Sequence, residues 1–238
     1  MVSLRVELLT MNNILLIINP LGHLSIALME WILLDWGIRL RRQSSVVAIT
    51  VLSLLLASTS YDNLILAMGN LIGAGDLLKS ISMIRFLLHY LIMPFLIVIG
   101  VELAHRAGAA WATKIVRVLS WVIAFALAGV DVITNYMKLQ LEPTFFAGIL
   151  RYTPINPSSP PIITIVVSLF MVLIGIGIWV RLKWSWLFVG ALIALIGNAL
   201  PSSLVGTLPA SASELIMAFS LLLTEQQVQV LYNQPAQT

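Results

Sequence analysis

Eight residues have types and spacings that could do chemistry in an apolar medium: His23, Glu30, Asp62, Asn63, Arg85, His89, Asp131 and Asn135. Arg85 and His89 are four apart, as are Asp131 and Asn135, so on helices each pair projects from one face. Arg85 offers a permanent positive charge with a planar donor fork, which suits a phosphate or a carboxylate. His89 is an acid or base near neutrality, and Asp62 or Asp131 would set its tautomer. These three are the candidate catalytic residues. Arg85, Asn63, Asn135 and His23 are the candidate ligand-binding residues. Ser58, Thr59, Ser60 and Tyr61 supply hydroxyls just before Asp62, though without an ordered motif.

The elements that carry these groups follow from composition. Of 238 residues, 60% are hydrophobic and 10% charged, against roughly 25% charged in soluble domains. So few charges cannot cover a water-facing globule, whereas a lipid-facing surface needs almost none. The expected fold class is therefore all-α, a polytopic helical bundle forming a single transmembrane domain over residues 1–238. A helical span takes about 20 apolar residues. Such runs lie near 16–38, 46–68, 83–104, 116–138, 161–180 and 186–204, with a possible seventh at 212–231, where Ser213 would cap a helix starting at Glu214. The stretch Thr224–Gln229 is polar for a lipid-facing segment.

Basic residues set the expected orientation. Arg39, Arg41, Arg42, Arg106, Lys114, Arg117, Arg181 and Lys183 fall on one side, and Arg5, Lys79, Lys138 and Arg151 on the other. The first side is then inside and the N-terminus outside. The same rule accounts for the net charge of +3, so nucleic acid is not an expected partner. Membrane lipids are, and partner membrane proteins are a further possibility. The expected location is a bacterial inner or internal membrane.

With that orientation, depth follows from a rise of ~1.5 Å per residue. Asp62 and Asn63 come ~24 Å along the second span, Arg85 sits at the outer interface and His89 ~9 Å below it. Asp131, Asn135 and His23 reach a similar level. Charge facing lipid is costly, so these faces are expected to turn inward, either as a structural clamp or as an outward-facing pocket. Glu30, ~21 Å from the outer end, is the candidate proton or cation carrier, in a chain from His23 to Asp35. Glu102 and His105 form a looser inner group.

The outer connection 139–160 and its border carry Pro143, Pro154, Pro157, Pro160 and Pro161, which preclude a helix through its second half. Phe145, Phe146, Ile149 and Leu150 fit a short interfacial turn or lid. Gly69 and Gly73 fit close helix packing followed by a turn. Trp31, Trp36, Trp179, Trp184 and Trp186 fit an interfacial belt at the inner side. The absence of cysteine removes disulfides and thiolate chemistry. The last run has no lysine to form a retinal Schiff base, and no His-x-x-x-His pattern supports a zinc site, so no metal is expected. The cofactor stays unknown. A haem iron between His23 and His89 is the one group those residue types suggest.

Three functions fit: binding or modifying an amphiphilic lipid or isoprenoid, a non-enzymatic subunit, scaffold or assembly factor, or a small proton- or cation-coupled transporter.

Overall fold

The computed structural model describes the backbone of residues 2–41, 46–155 and 162–232 and the side chains of 16–41, 47–155 and 162–231. Arg42, Pro157, Pro160 and Pro161 lie outside the described residues. Among the described residues, six helical segments are long and apolar enough to cross a membrane: Leu16–Arg41, Val47–Ile72, Asp76–Arg106, Lys114–Tyr136, Ile162–Leu182 and Leu208–Leu231. The chain is a multi-pass membrane protein.

In chain order these belong to α1 (Val2–Arg41), α2 (Val46–Ile72), α3 (Asp76–Ile92) continued by α4 (Leu96–Arg106), and α5 (Lys114–Asp131). α6 (Ile162–Leu182), α7 (Trp186–Ala199), the single turn α8 (Ser202–Val205) and α9 (Leu208–Tyr232) complete the helices. A 3-10 turn at Met93–Phe95 joins α3 to α4. Pro94 causes it, since proline lacks the N–H an α-helix would use there and its ring crowds the preceding turn. Thr113 caps α5 by accepting from the Val116 N–H at 3.4 Å. The far end of α5 widens into a π-helical turn, Val132–Tyr136.

The expectation of an all-α chain needs correction. Residues 141–146 and 149–154 form an antiparallel hairpin, β1 (Leu141–Phe146) and β2 (Ile149–Pro154), registered from Leu141 opposite Pro154 to Phe146 opposite Ile149. Its two-residue turn, Ala147 and Gly148, has φ of 51° and 78°, the geometry whose twist matches paired strands. Phe145, Phe146, Ile149 and Leu150 thus lie in strands and not in an interfacial helical turn.

The sixth expected span also changes. α7 has 14 residues, roughly 21 Å long, and ends at Ala199 because Leu200, which precedes Pro201, is extended. The 212–231 run is instead part of a 25-residue helix beginning at Leu208. Ser213 does not cap it, because its hydroxyl donates to the Ala210 carbonyl at 2.7 Å inside the helix. The polar second half of α9 avoids lipid: Thr224 and Glu225 are buried, the Thr224 hydroxyl accepting from Trp184 at 3.1 Å and Glu225 pairing with Arg106.

Close packing around α7 explains how a short helix is held. Gly190 and Gly197 of α7 face Ser220 and Ser213 of α9, an antiparallel register of small residues that lets the backbones approach. On the other side, a methyl group at Gly175 of α6 would lie 2.6 Å from the backbone of Phe188. Gly175→Ala should therefore lower the unfolding temperature in detergent, with a loss of about 1–3 kcal/mol. Gly177→Ala, which meets nothing within 4 Å, should leave it unchanged in the same measurement.

Candidate functional site

Asp62 and Asn63 are consecutive on α2 and point roughly 100° apart, as any helical neighbours must. That rotation divides the polar groups at the hairpin end into two networks.

Asn63 faces α1. Its Nδ2 donates to Oε2 of Glu30 at 3.2 Å and to the Thr59 carbonyl at 3.0 Å, which leaves Oδ1 as the acceptor 2.7 Å from Nδ1 of His23. His23 must then carry its proton on Nδ1, so Nε2 accepts from the Thr207 hydroxyl at 2.9 Å. His23, Glu30 and Asn63 are each at most 1% exposed. Ser60 donates to the Ala27 carbonyl at 3.2 Å and closes α2 on α1 beside them. Oε1 of Glu30 accepts no hydrogen bond, although the Thr59 hydroxyl, committed to the carbonyls of Leu55 and Leu56, faces that carboxyl. Both ring nitrogens of His23 being engaged, neither is open to an iron. Asp35 does not extend the chain of groups, because it pairs with Arg39 on an exposed face of α1.

Asp62 faces α3 and the hairpin. Its Oδ1 lies 3.1 Å from Nε of Arg85, an ion pair by distance in which the Nε–H is not aimed to form a hydrogen bond. Nη2 of Arg85 reaches the Tyr152 carbonyl of β2 at 3.5 Å, and the guanidinium sits 4.7 Å from the centre of the Phe86 ring. Arg151, one residue before Tyr152, lies in the same electrostatic neighbourhood as Arg85 and Asp62. Its Nη2 makes one long bond to the Ser202 carbonyl, 3.4 Å, and its Nε makes none. Burial first, and then the Arg85 charge, hold the Arg151 guanidinium below its ordinary pKa, opposed by Asp62. Both arginines are 7% exposed, whereas the Asp62 side chain is 32% exposed.

The hairpin itself is held by Asn19, which donates to the Ala147 carbonyl at 2.5 Å, and by Asn70, which bonds both the Gly148 carbonyl and the Leu150 N–H at 2.7 Å. Gly69 is where α2 and β2 touch, since a side chain there would strike the Leu150 carbonyl. The close approach read from this glycine is thus to a strand. Tyr152 adds a bond from its hydroxyl to the Gly75 carbonyl, 3.3 Å.

Asp131 and Asn135 bond to each other at 2.7 Å across the start of the π-helical turn. His89 lies within electrostatic reach of Asp62, Asp131 and Arg85, and its ring meets Tyr90 edge-on. The six residues expected at one level therefore stand at the same end of the bundle, as an Asp62–Arg85 pair, an Asp131–Asn135 pair, a His89 within electrostatic reach of both, and an Asn63 turned to His23 and Glu30. Arg151, Tyr152, Thr207 and Glu214 were not singled out. The first two sit on a hairpin whose turn lacks the usual asparagine or aspartate signal, and Glu214 lies inside α9 and does not begin it.

At the opposite end the charges are spent on each other. Arg117 grips Glu102 through two bonds of 2.7 and 2.9 Å, Arg106 meets Glu225, and His105 Nδ1 lies 2.8 Å from the Ala112 carbonyl. This end reads as closure.

Replacing Asn63 by leucine keeps the volume but removes both ends of the amide, leaving His23 and Glu30 buried with an unmet group each. A loss of several kcal/mol is expected, from about 1–3 for each such group. Urea unfolding in detergent would measure it, and Asn135→Leu, at a half-buried site, should cost less.

No known protein supplies a function by likeness: no family model, curated protein or solved structure matches the chain.

Proposed function

We propose that the protein binds the anionic head of an amphiphile, a phosphate or carboxylate, between Arg85 of α3 and Arg151 of β2, with the apolar part lying among the helices. One observation carries this reading. Two buried guanidinium groups lie within electrostatic reach of one carboxylate, Asp62, which is ion-paired by distance with Arg85, and each has an Nε–H with no hydrogen bond.

Buried charge is stable only when paired and hydrogen-bonded. Two arginines with one aspartate leave one positive charge in excess, and the open N–H groups are what a tetrahedral or planar oxyanion accepts. Asp62, the most exposed of the three, marks the side from which a head group would enter. His89, one turn along α3 from Arg85, stands where a bound head group would meet an acid or base. Asp131 lies within electrostatic reach of its imidazole.

The basic residues Arg106, Lys114, Arg117, Arg181 and Lys183 flank the opposite end of these helices. By the positive-inside rule the hairpin end then faces outward, and the head group belongs to the outer leaflet. The apolar faces of α3 and α5, with Ile84, Leu91, Val122 and Phe125 exposed, border the lipid from which an amphiphile would arrive.

The test is native mass spectrometry of the full-length protein with dioleoyl phosphatidylglycerol or dioleoyl phosphatidylcholine. Retention of the anionic lipid should exceed that of the zwitterionic one, and Arg85→Ala and Arg151→Ala should each weaken it by tenfold or more. Equal retention of the two lipids, or unchanged retention in both variants, would overturn the reading in favour of a scaffold whose polar groups only hold helices.

A further inference from the structure

Glu30 and Glu214 sit in a charge environment opposite to that of the arginines. Asp62 bears electrostatically on both, and Glu30 bears on Glu214. His23 stands behind Asn63 and is held in its neutral tautomer. Glu30 is 1% exposed with Oε1 unbonded. Two carboxyls on facing helices of an apolar bundle cannot both stay ionised without added positive charge.

What could supply that charge is indicated by the space beside them. A cavity of ≈ 30 Å³ lies among α2, α4, α6, α7 and α9, walled mostly by apolar side chains. Oxygen-bearing side chains break that wall at Glu214, Thr59, Thr164, Ser168 and Asn198. Ser168 is 5% exposed, and neither its hydroxyl nor the side chains of Thr164 and Asn198 have a hydrogen-bond partner among the described residues. Thr59 lines the cavity and its side chain adjoins the Glu30 carboxyl.

Protonating a carboxyl needs neither a cavity nor spare oxygens. A dehydrated alkali cation needs both, and hydroxyl, amide and carboxylate oxygens are the ligands hard cations take. A volume of this size admits one or two waters or one such ion. No cluster of three or more His, Cys, Asp or Glu that could hold a metal ion occurs among the described residues, so a transition metal is not the candidate.

We infer that this cavity is a binding site for one monovalent cation of the sodium class, held by Glu214 with the hydroxyls of Thr59 and Ser168 and with Glu30 as the second, outer carboxyl. The site shares no residue with the arginine pair, so either can fail without the other.

Purified full-length protein in detergent, at constant ionic strength and pH, would be titrated with sodium chloride against choline chloride. Unfolding temperature and bound radioactive sodium are the two readouts. Saturable sodium binding that raises the unfolding temperature is expected. Glu214→Gln and Ser168→Ala should each weaken it by about tenfold or more, Glu30→Gln should weaken it less, and Arg85→Ala, which removes the cation paired with Asp62, should not weaken it. Should a glutamine variant fail to fold, Ser168→Ala and the wild-type sodium isotherm still decide the matter. The inference is overturned if the wild type binds no sodium, including the case where pH alone changes its stability, or if Glu214→Gln and Ser168→Ala both keep wild-type affinity.

Discussion

The side-chain amide of Asn63 is the constraint on which the hairpin end depends. In hydrocarbon a polar group has no water to fall back on, so each must find a partner within the protein. The amide spends its oxygen on His23 and its nitrogen on Glu30 and the Thr59 carbonyl. That single orientation fixes the His23 tautomer, and through Nε2 it ties the start of α9 at Thr207 to α1. It also fixes the rotation of α2, and with it the direction of Asp62. An α2 turned by one residue would turn Asn63 away from α1, leaving Nδ1 of His23 and Oε2 of Glu30 without their partner.

With Asp62 directed outward from this core, the hairpin becomes a structural necessity. Arg85 lies where β2 of the antiparallel hairpin and α3 meet, and its remaining N–H groups need acceptors that helices do not offer, since helical carbonyls are already spent. A strand can offer them: the Tyr152 carbonyl does so for Arg85. Asn19 and Asn70, from α1 and α2, hold the hairpin by its turn and its first β2 residues. Polar groups that looked separable in the chain thus form one connected framework around the end of the bundle.

The sequence is legible wherever spacing alone decides depth. Asp62 and Arg85 meet because span lengths and a fixed rise put them at one level, and His23 and His89 join that level for the same reason. The prolines speak against a helix in the second half of the 139–160 connection, and its described part there is strand β2. Rotation about a helix axis is not legible in this way, so Asn63 could be grouped with Arg85 when it belongs to His23. The hairpin is hidden for another reason: its turn is Ala147 and Gly148, without the asparagine or aspartate that usually marks positive φ. The possible span at 212–231 lies inside α9, which is long and apolar enough to cross. Thr224 and Glu225 count against a span only if they face lipid, and here they face Trp184 and Arg106.

Asp62 stands between two regions of opposite charge. On one side are two buried guanidinium groups, on the other two carboxyls, and the aspartate is within electrostatic reach of Arg151, His23, Glu30 and Glu214. In a medium of low dielectric these interactions are screened weakly. An anion beside the arginines draws part of their charge away from Asp62, which then bears more strongly on the carboxyls and favours positive charge among them. The reverse holds by the same argument, because coupling between two binding equilibria is reciprocal. A bundle built to bury only a structural ion pair would gain nothing by keeping that pair incomplete and placing an acidic cavity beside it. Occupants of opposite sign at the two sites would each offset the unmet charge of its own site, with Asp62 as the charge they share.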